Sequence, residues 1–280
     1  MNVKRCLIEP KWLCLAAAAL ALAAPLHAQQ PVPAQPAGKL DSVTVQTTRD
    51  PVDKSYRAML RGLQVFEQMH ALAPQATLRF KLLPRQRGTT LDGITLKIVG
   101  DSTSIPVPIA PDQTFTLPVN EQAAREDASV MPNRRAHSMT WRTEVRTPGL
   151  PANTRRLGDL RLECQVGVVA GLLSEESSPL SRMAQALLSP TAPCTGERGT
   201  SYLLFADKPL FGVTLVAGAR RQAVPLADLY LGLLDGPVSN RELADSDAQS
   251  LLDRTYVLPL GDASWPDDTL VEFDGMEAAP

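Results

Sequence analysis

Between Arg134 and Arg161 the chain sets seven arginines against two acids, Glu144 and Asp159. A guanidinium presents a rigid fork of donors that suits bidentate contact with phosphate or carboxylate. Arg142 and Arg146 fall on one face of a strand-like run, opposite the face of Met139 and Trp141, and Arg134, Arg135, Arg155 and Arg156 flank it. These six are the candidate ligand-binding residues, expected to meet an anionic envelope polymer or a lipid headgroup. Two other readings stand beside this one. From Asp235 to the C-terminus eleven acids face only Arg241 and Arg254, so the arginines could dock one half of the chain on the other, or form a solvated face.

Other chemistries find less to work with. There is no Gly-x-Ser-x-Gly or Ser-x-x-Lys nucleophile pattern, and beyond the first 28 residues the histidines are His70 and His137, each on an apolar face. Zinc spacings are missing. Asp262, Asp267 and Asp268 share one loop and offer hard oxygen ligands for calcium, but without EF-hand spacing, and an acidic solvated loop is the plainer reading. No glycine-rich phosphate loop follows a strand, so no cofactor is expected. The enzymatic alternative is a hydrolase of the sugar-cleaving type working with carboxylates alone, which needs two of them about 5 to 9 Å apart.

The elements that must position these residues begin after a leader. Lys4, Arg5 and Lys11 precede an apolar run from Leu13 to Ala24, and Leu26-His27-Ala28 closes a three-part secretory signal, with cleavage expected after Ala28 and a periplasmic or secreted product. No transmembrane segment is expected after cleavage. The formal charge of −2 becomes more negative once the basic leader is gone, which argues against nucleic acid as a partner and leaves an envelope protein or an anionic polymer. Only Cys164 and Cys194 survive cleavage, and in an oxidising compartment the pair reads as one disulfide, against the alternative of two buried thiols.

Residues 29–39 are a Pro- and Gln-rich linker. Ser42 to Thr47 alternates as a strand, and Asp50-Pro51 opens a helix whose stripe is Val52, Tyr56, Met59, Leu63, Phe66 and His70. Strands follow at Thr77 to Leu83, Ile94 to Val99, Thr114 to Val119 and Ser138 to Val145, which with the helix form a first sandwich-like domain over 40–147. Residues 148–158 read as a linker. In the second domain, 159–275, Leu160, Leu162, Cys164, Val166 and Val168 alternate with polar residues and glycine as a strand, a second helix starts at Ser178-Pro179 and stops at Pro190, and strands resume at Tyr202, Val213, Tyr256 and Thr269. Residues 276–280 are a tail.

The two halves echo each other. Leu91 to Val107, "LDGITLKIVGDSTSIPV", and Leu210 to Leu226, "LFGVTLVAGARRQAVPL", share Leu, Gly, a β-branched residue, Thr, Leu and a later Pro. Phe115-Thr-Leu-Pro118 then matches Tyr256-Val-Leu-Pro259, and Asp127-Ala-Ser129 matches Asp262-Ala-Ser264. In each half an early glycine before a strand, followed by a "QTFTLP" or "TYVLP" strand, resembles the transthyretin-like, carboxypeptidase-regulatory type of β-sandwich found in exported bacterial proteins; the resemblance implies a fold and no catalytic residue. "DSVTVQTTRD", Asp41 to Asp50, resembles the segment near the mature N-terminus of TonB-dependent outer-membrane receptors, which implies an accessory role through an added strand. The expected protein is mainly β with two short helices, two tandem transthyretin- or Ig-like sandwich domains, and a non-enzymatic binding or scaffolding role in the envelope.

Overall fold

In the computed structural model, which describes residues 53–85, 88–134, 138–172, 189, 191–197, 200–232 and 251–276, the first helix begins where its sequence supplies a cap. Lys54–Ser55 is a two-residue strand, β1, and the Ser55 hydroxyl accepts the Ala58 amide at 3.2 Å to open α1, Tyr56–Gln68. The helix therefore starts later than Asp50-Pro51, which lie outside the described residues. Of its expected stripe Tyr56, Met59 and Phe66 are buried and Leu63 is half-buried, His70 lies past the helix end in a short 3-10 turn with its ring against Phe66, and Val52 lies outside the described residues. The signal segment, the linker at 29–39, the strand from Ser42, Arg135, His137, the helix from Ser178 and the final tail also lie outside the described residues.

The chain is mainly β, with 13 strands in four antiparallel sheets and four short helices among the described residues. In the first half β2 (Thr77–Pro84), β3 (Leu96–Val99), β4 (Ser104–Val107), β5 (Thr114–Phe115), α2 (Glu121–Arg125), β6 (Ser129–Pro132) and β7 (Met139–Arg146) form two sheets, ordered β1-β6-β3-β4 and β5-β2-β7. In the second half come β8 (Thr154–Arg156), α3 (Leu157–Val169), α4 (Ala192–Thr195), β9 (Leu204–Phe205), β10 (Leu210–Ala217), β11 (Arg220–Ala223), β12 (Thr255–Tyr256) and β13 (Leu270–Gly275). They form β11-β10-β13-β8 and β12-β9.

Among the described residues the second set repeats the first except for β7. β1 and β8 each lead straight into a helix of 13 residues, and the first helical amide in both donates to the residue just before the strand that β1 or β8 pairs with, β6 or β13: Tyr56 N to Ala128 O and Leu157 N to Thr269 O, each 2.9 Å. Phe80 pairs with Phe115 as Leu204 pairs with Tyr256, so the echo of Phe115-Leu117-Pro118 in Tyr256-Leu258-Pro259 is structural. Elsewhere the echo misleads. The ladders Ile98↔Val130 and Leu215↔Val271 make Leu96 the counterpart of Val213, two residues away from the alignment read by eye. A shift of two keeps every side chain on its face, which is why the pattern cannot report it. By the same ladders Asp127 corresponds to Asp268, not Asp262, and the strand at Thr269 matches β6 rather than the strand of Trp141. Among the described residues β7 has no counterpart.

The largest correction concerns Leu157–Val169, read as linker and strand and found as the helix α3. It is buried on nearly every side: Leu157, Leu160 and Cys164 enter the core of the second half, while Leu162 and Val166 join Phe66, Ala76 and Val145 in a smaller core between the halves. A helix buried all round has no polar stripe, so its 3.6-residue period is invisible in the text. The stretch read as a linker likewise contains β8. Cys164 and Cys194 are bonded, with Cα atoms 5.7 Å apart, tying α4 to α3. The two-domain reading is not confirmed, since residues Gln46–Pro280 form one compact unit.

Close approach at the first turn of α3 depends on one glycine. A Cβ on Gly158 would lie 2.0 Å from the Leu72 carbonyl oxygen and 3.0 Å from the Asp267 side chain. Gly158→Ala should lower unfolding stability by about 2 to 3 kcal/mol in urea titration; a loss under about 0.5 kcal/mol would mean that the helix does not sit this close.

Candidate functional site

β7 pairs with β2 along eight residues, Thr77↔Arg146 through Pro84↔Met139, but on its other side no described strand adds to the sheet. That open edge is closed by side chains of α3. The Glu163 carboxylate accepts the Val145 amide at 3.1 Å and the Asp159 carboxylate accepts the Thr147 amide at 2.8 Å and its hydroxyl at 2.7 Å. The geometry is commensurate: four residues of helix rise about 6 Å and two of strand about 6.7 Å, so acids one turn apart reach alternate amides. Arg155 completes the substitution. Its Nη2 donates to the Val145 carbonyl and to Glu163 Oε2, both at 2.6 Å. Val145 thus finds in an Arg–Glu pair the donor and acceptor that a neighbouring strand would offer.

A second knot lies beside the first. Arg142, Glu144 and Arg146 alternate along β7, and Asp207, in the loop after β9, receives both Lys81, at 2.9 Å, and Arg146. Arg146 Nε also donates to Glu144 at 2.6 Å, and Lys81 lies 3.7 Å from the same carboxylate. Burial would push the Asp207 carboxyl up, but Lys81 and Arg146 outweigh it and hold it below its ordinary value. Burial alone would likewise lower Arg155, and the Glu163 carboxylate reverses this and raises it. Burial pushes the Tyr202 phenol up to about 12, leaving it neutral beside Thr143.

Arg142, Arg146 and Arg155 therefore converge as expected, but not on an outward face. Arg142 is 9% exposed and Arg155 5%, and the Arg142 guanidinium lies 4.3 Å from the centre of the Phe205 ring. β7 is covered on both faces because α3 and the β9 loop lie over the side that alternation assigns to solvent. The remaining arginines go elsewhere. Arg134 donates to Asn133 and to the Asp92 carbonyl, and Arg156 lines a separate cavity with Asp267 and Asp268. In the acidic loop Asp267 takes Arg161 at 2.5 Å, its carbonyl accepts Gly158 N at the start of α3, and Asp262 accepts Ser264 N. Among the described residues no group of three or more His, Cys, Asp or Glu is placed to hold a metal ion.

Two cavities open at this seam. The inner one, about 30 Å³, is lined by Arg142, Glu144, Arg155, Glu163 and Tyr202 and has room for about one water. The outer one, about 200 Å³, has Phe205, Leu210 and Phe273 as its apolar wall and Arg146, Asn153, Arg155, Asp207 and Lys208 as its polar one. Among the described residues the buried Arg155 Nε finds no acceptor and the buried Tyr256 hydroxyl, within the same charge network, finds no partner. Sequence reasoning missed Glu163, Lys81, Asp207, Lys208 and the two phenylalanines. The four-residue spacing of Asp159 and Glu163 carried a signal, but only for a reader who had placed them on a helix. No protein-family model matches the chain, and no curated protein or solved structure does either.

Removing one partner of a buried pair leaves the other charge stranded. Arg155→Met and Glu163→Gln should each lower stability by about 3 kcal/mol in urea titration, and the double variant should lose distinctly less than the sum; additive losses would mean that the two do not act as a unit. Because the folded Asp207 carboxyl is depressed, its contribution is present above the unfolded value of about 3.9 and is lost as pH falls through the folded one. Asp207→Asn should flatten that acid limb of a stability–pH profile, and an unchanged limb would remove Asp207 from the network.

Proposed function

We propose that the protein is an exported, non-enzymatic binding module of the cell envelope that holds the anionic end of an amphipathic envelope component in the outer seam cavity. One observation carries the reading. An apolar wall of Phe205, Leu210 and Phe273 is rimmed by Arg146, Arg155 and Lys208; Arg146 is engaged by Glu144 and Asp207 and Arg155 by Glu163, which leaves Lys208 as the rim cation that makes no ion pair with a described residue. The buried Arg155 Nε adds a donor in need of an acceptor. A phosphate or carboxylate on an apolar stem satisfies both walls. At about 200 Å³ the cavity takes one end of a longer molecule rather than a whole drug-sized ligand. Export is supported by the leader and by the Cys164–Cys194 bridge, and the antiparallel sheets agree with a transthyretin-like sandwich.

The sugar-cleaving alternative gains little from this geometry. Asp159 and Glu163 are spent on β7 amides, and Glu144 and Glu163 face a void too small for a sugar ring.

Lys208 is exposed and makes no ion pair with a described residue, so it can be changed without touching the fold. Decyl phosphate, below its micelle concentration, should raise the melting temperature of the wild type, and Lys208→Glu should bind it about fivefold or more weaker with an unchanged melting temperature of its own. Retention on phosphatidylglycerol vesicles tells a bilayer lipid from a soluble amphiphile. If neither probe binds, or if Lys208→Glu binds both as well as the wild type, the reading fails.

A further inference from the structure

The two halves share a sheet order but treat its last strand differently. In the first half the outermost strand, β4, carries Pro106 at its centre, and a proline offers no amide to an incoming chain. In the second half the equivalent strand, β11, reads Arg-Arg-Gln-Ala, contains no proline and is exposed along its whole length. The Val224 amide donates to the Val213 carbonyl at 2.8 Å, and by the alternation of an antiparallel ladder the backbone groups of Arg221 and Ala223 then point away from β10. They are two donors and two acceptors set for another strand.

Beside this edge lies the largest of the cavities described here, about 410 Å³. Gln222, Ala223 and Val224 form its near side, and Leu215, Val257 and Leu258 are among its apolar residues. Among the described residues that line it the charged side chains are Asp228 and Asp262. The two arginines of β11 are engaged elsewhere, Arg220 over the Trp265 ring at 3.5 Å and Arg221 with Glu272 at 2.6 Å. Asp228 makes no ion pair with a described residue, and the Ser264 amide, with Arg220 and Arg161 contributing less, holds the Asp262 carboxyl below its ordinary value.

We propose that β11 and this groove bind an extended, basic peptide segment of a partner protein by strand addition. The partner's backbone pairs with Arg221 and Ala223, its apolar side chains enter the groove, and a lysine or arginine meets Asp228 and Asp262. This site is separate from the seam cavity, so each can fail without the other. A second copy is a poorer occupant because the β11 of a second copy brings arginines already bound within their own chain.

Random heptapeptides displayed on phage and panned on the protein supply the probe. The expected result is enrichment of sequences that alternate β-branched or apolar residues with lysine or arginine. An enriched peptide should bind about tenfold weaker, the equivalent of one lost hydrogen bond at about 1.4 kcal/mol, to Ala223→Pro and to the double variant Asp228→Asn with Asp262→Asn. Should Ala223→Pro fail to fold, N-methylation of alternate peptide amides removes the same hydrogen bonds without touching the protein and should weaken binding equally. No enrichment, enrichment of acidic or charge-indifferent sequences, or binding indifferent to N-methylation would overturn the proposal. So would a concentration-dependent dimer of the wild type that Ala223→Pro abolishes, which would assign the edge to a second copy.

Discussion

The fold depends on Val145 having its backbone satisfied by side chains. Its amide goes to Glu163 and its carbonyl to Arg155, and these two are paired with each other. An unpaired strand edge in a buried place would strand its polar backbone groups in a medium without water, at a cost of roughly 1 to 3 kcal/mol per group. The usual remedy is another strand, and here the neighbouring element is a helix that presents carboxylates at the pitch of the strand. A buried charge pair adds little net stability of its own. Its work is to fix geometry, because only one sliding position of α3 along β7 lets Asp159 meet Thr147 while Glu163 meets Val145.

That constraint explains how two similar halves came to differ. α1 and α3 occupy equivalent places, each following a short strand and hydrogen-bonded at its first turn to the residue just before that strand's partner, β6 or β13. α1 keeps a solvent-facing side with Arg57, Arg61 and Glu67, whereas α3 is enclosed by its own core, by β7 and by α1. The enclosed helix needs small residues where it is approached: Gly158 at Leu72, Gly167 against Tyr202 and Thr143, and Ala170 against Gly62. The outermost strands differ in the same spirit, one blunted by Pro106 and the other left open.

How much of this was legible depends on whether a signal was local. β2, β7 and the stripe of α1 could be read because each has one face in a core and one elsewhere, so their periods survive in the sequence. The cysteine pair was legible from redox context, and the echo of Phe115 in Tyr256 from its flanking Leu and Pro. α3 was not, because burial on every side erases its period and leaves an accidental alternation. The site suffered in consequence. Arg142 and Arg146 were correctly placed on one strand and Arg155 correctly grouped with them, but a face counted as solvated holds α3 and the Phe205 loop, and their partners Glu163 and Asp207 lie far along the chain.

The capping of α3 has a further consequence, for the order of assembly. The first amides of the helix donate to the carbonyls of Thr269 and Asp267, and β8, from which it springs, pairs only with β13. The element that seals the edge of β7 is thus itself held by β13 and the residues just before it. A ribosome releasing this chain from its N-terminus delivers an exposed β7 edge before its seal can form, and such an edge invites pairing with other chains. The first half is in this sense on loan to the second, its closure deferred until Asp267 and Thr269 are in place, a long-range contact of the kind that forms more slowly than local hairpins.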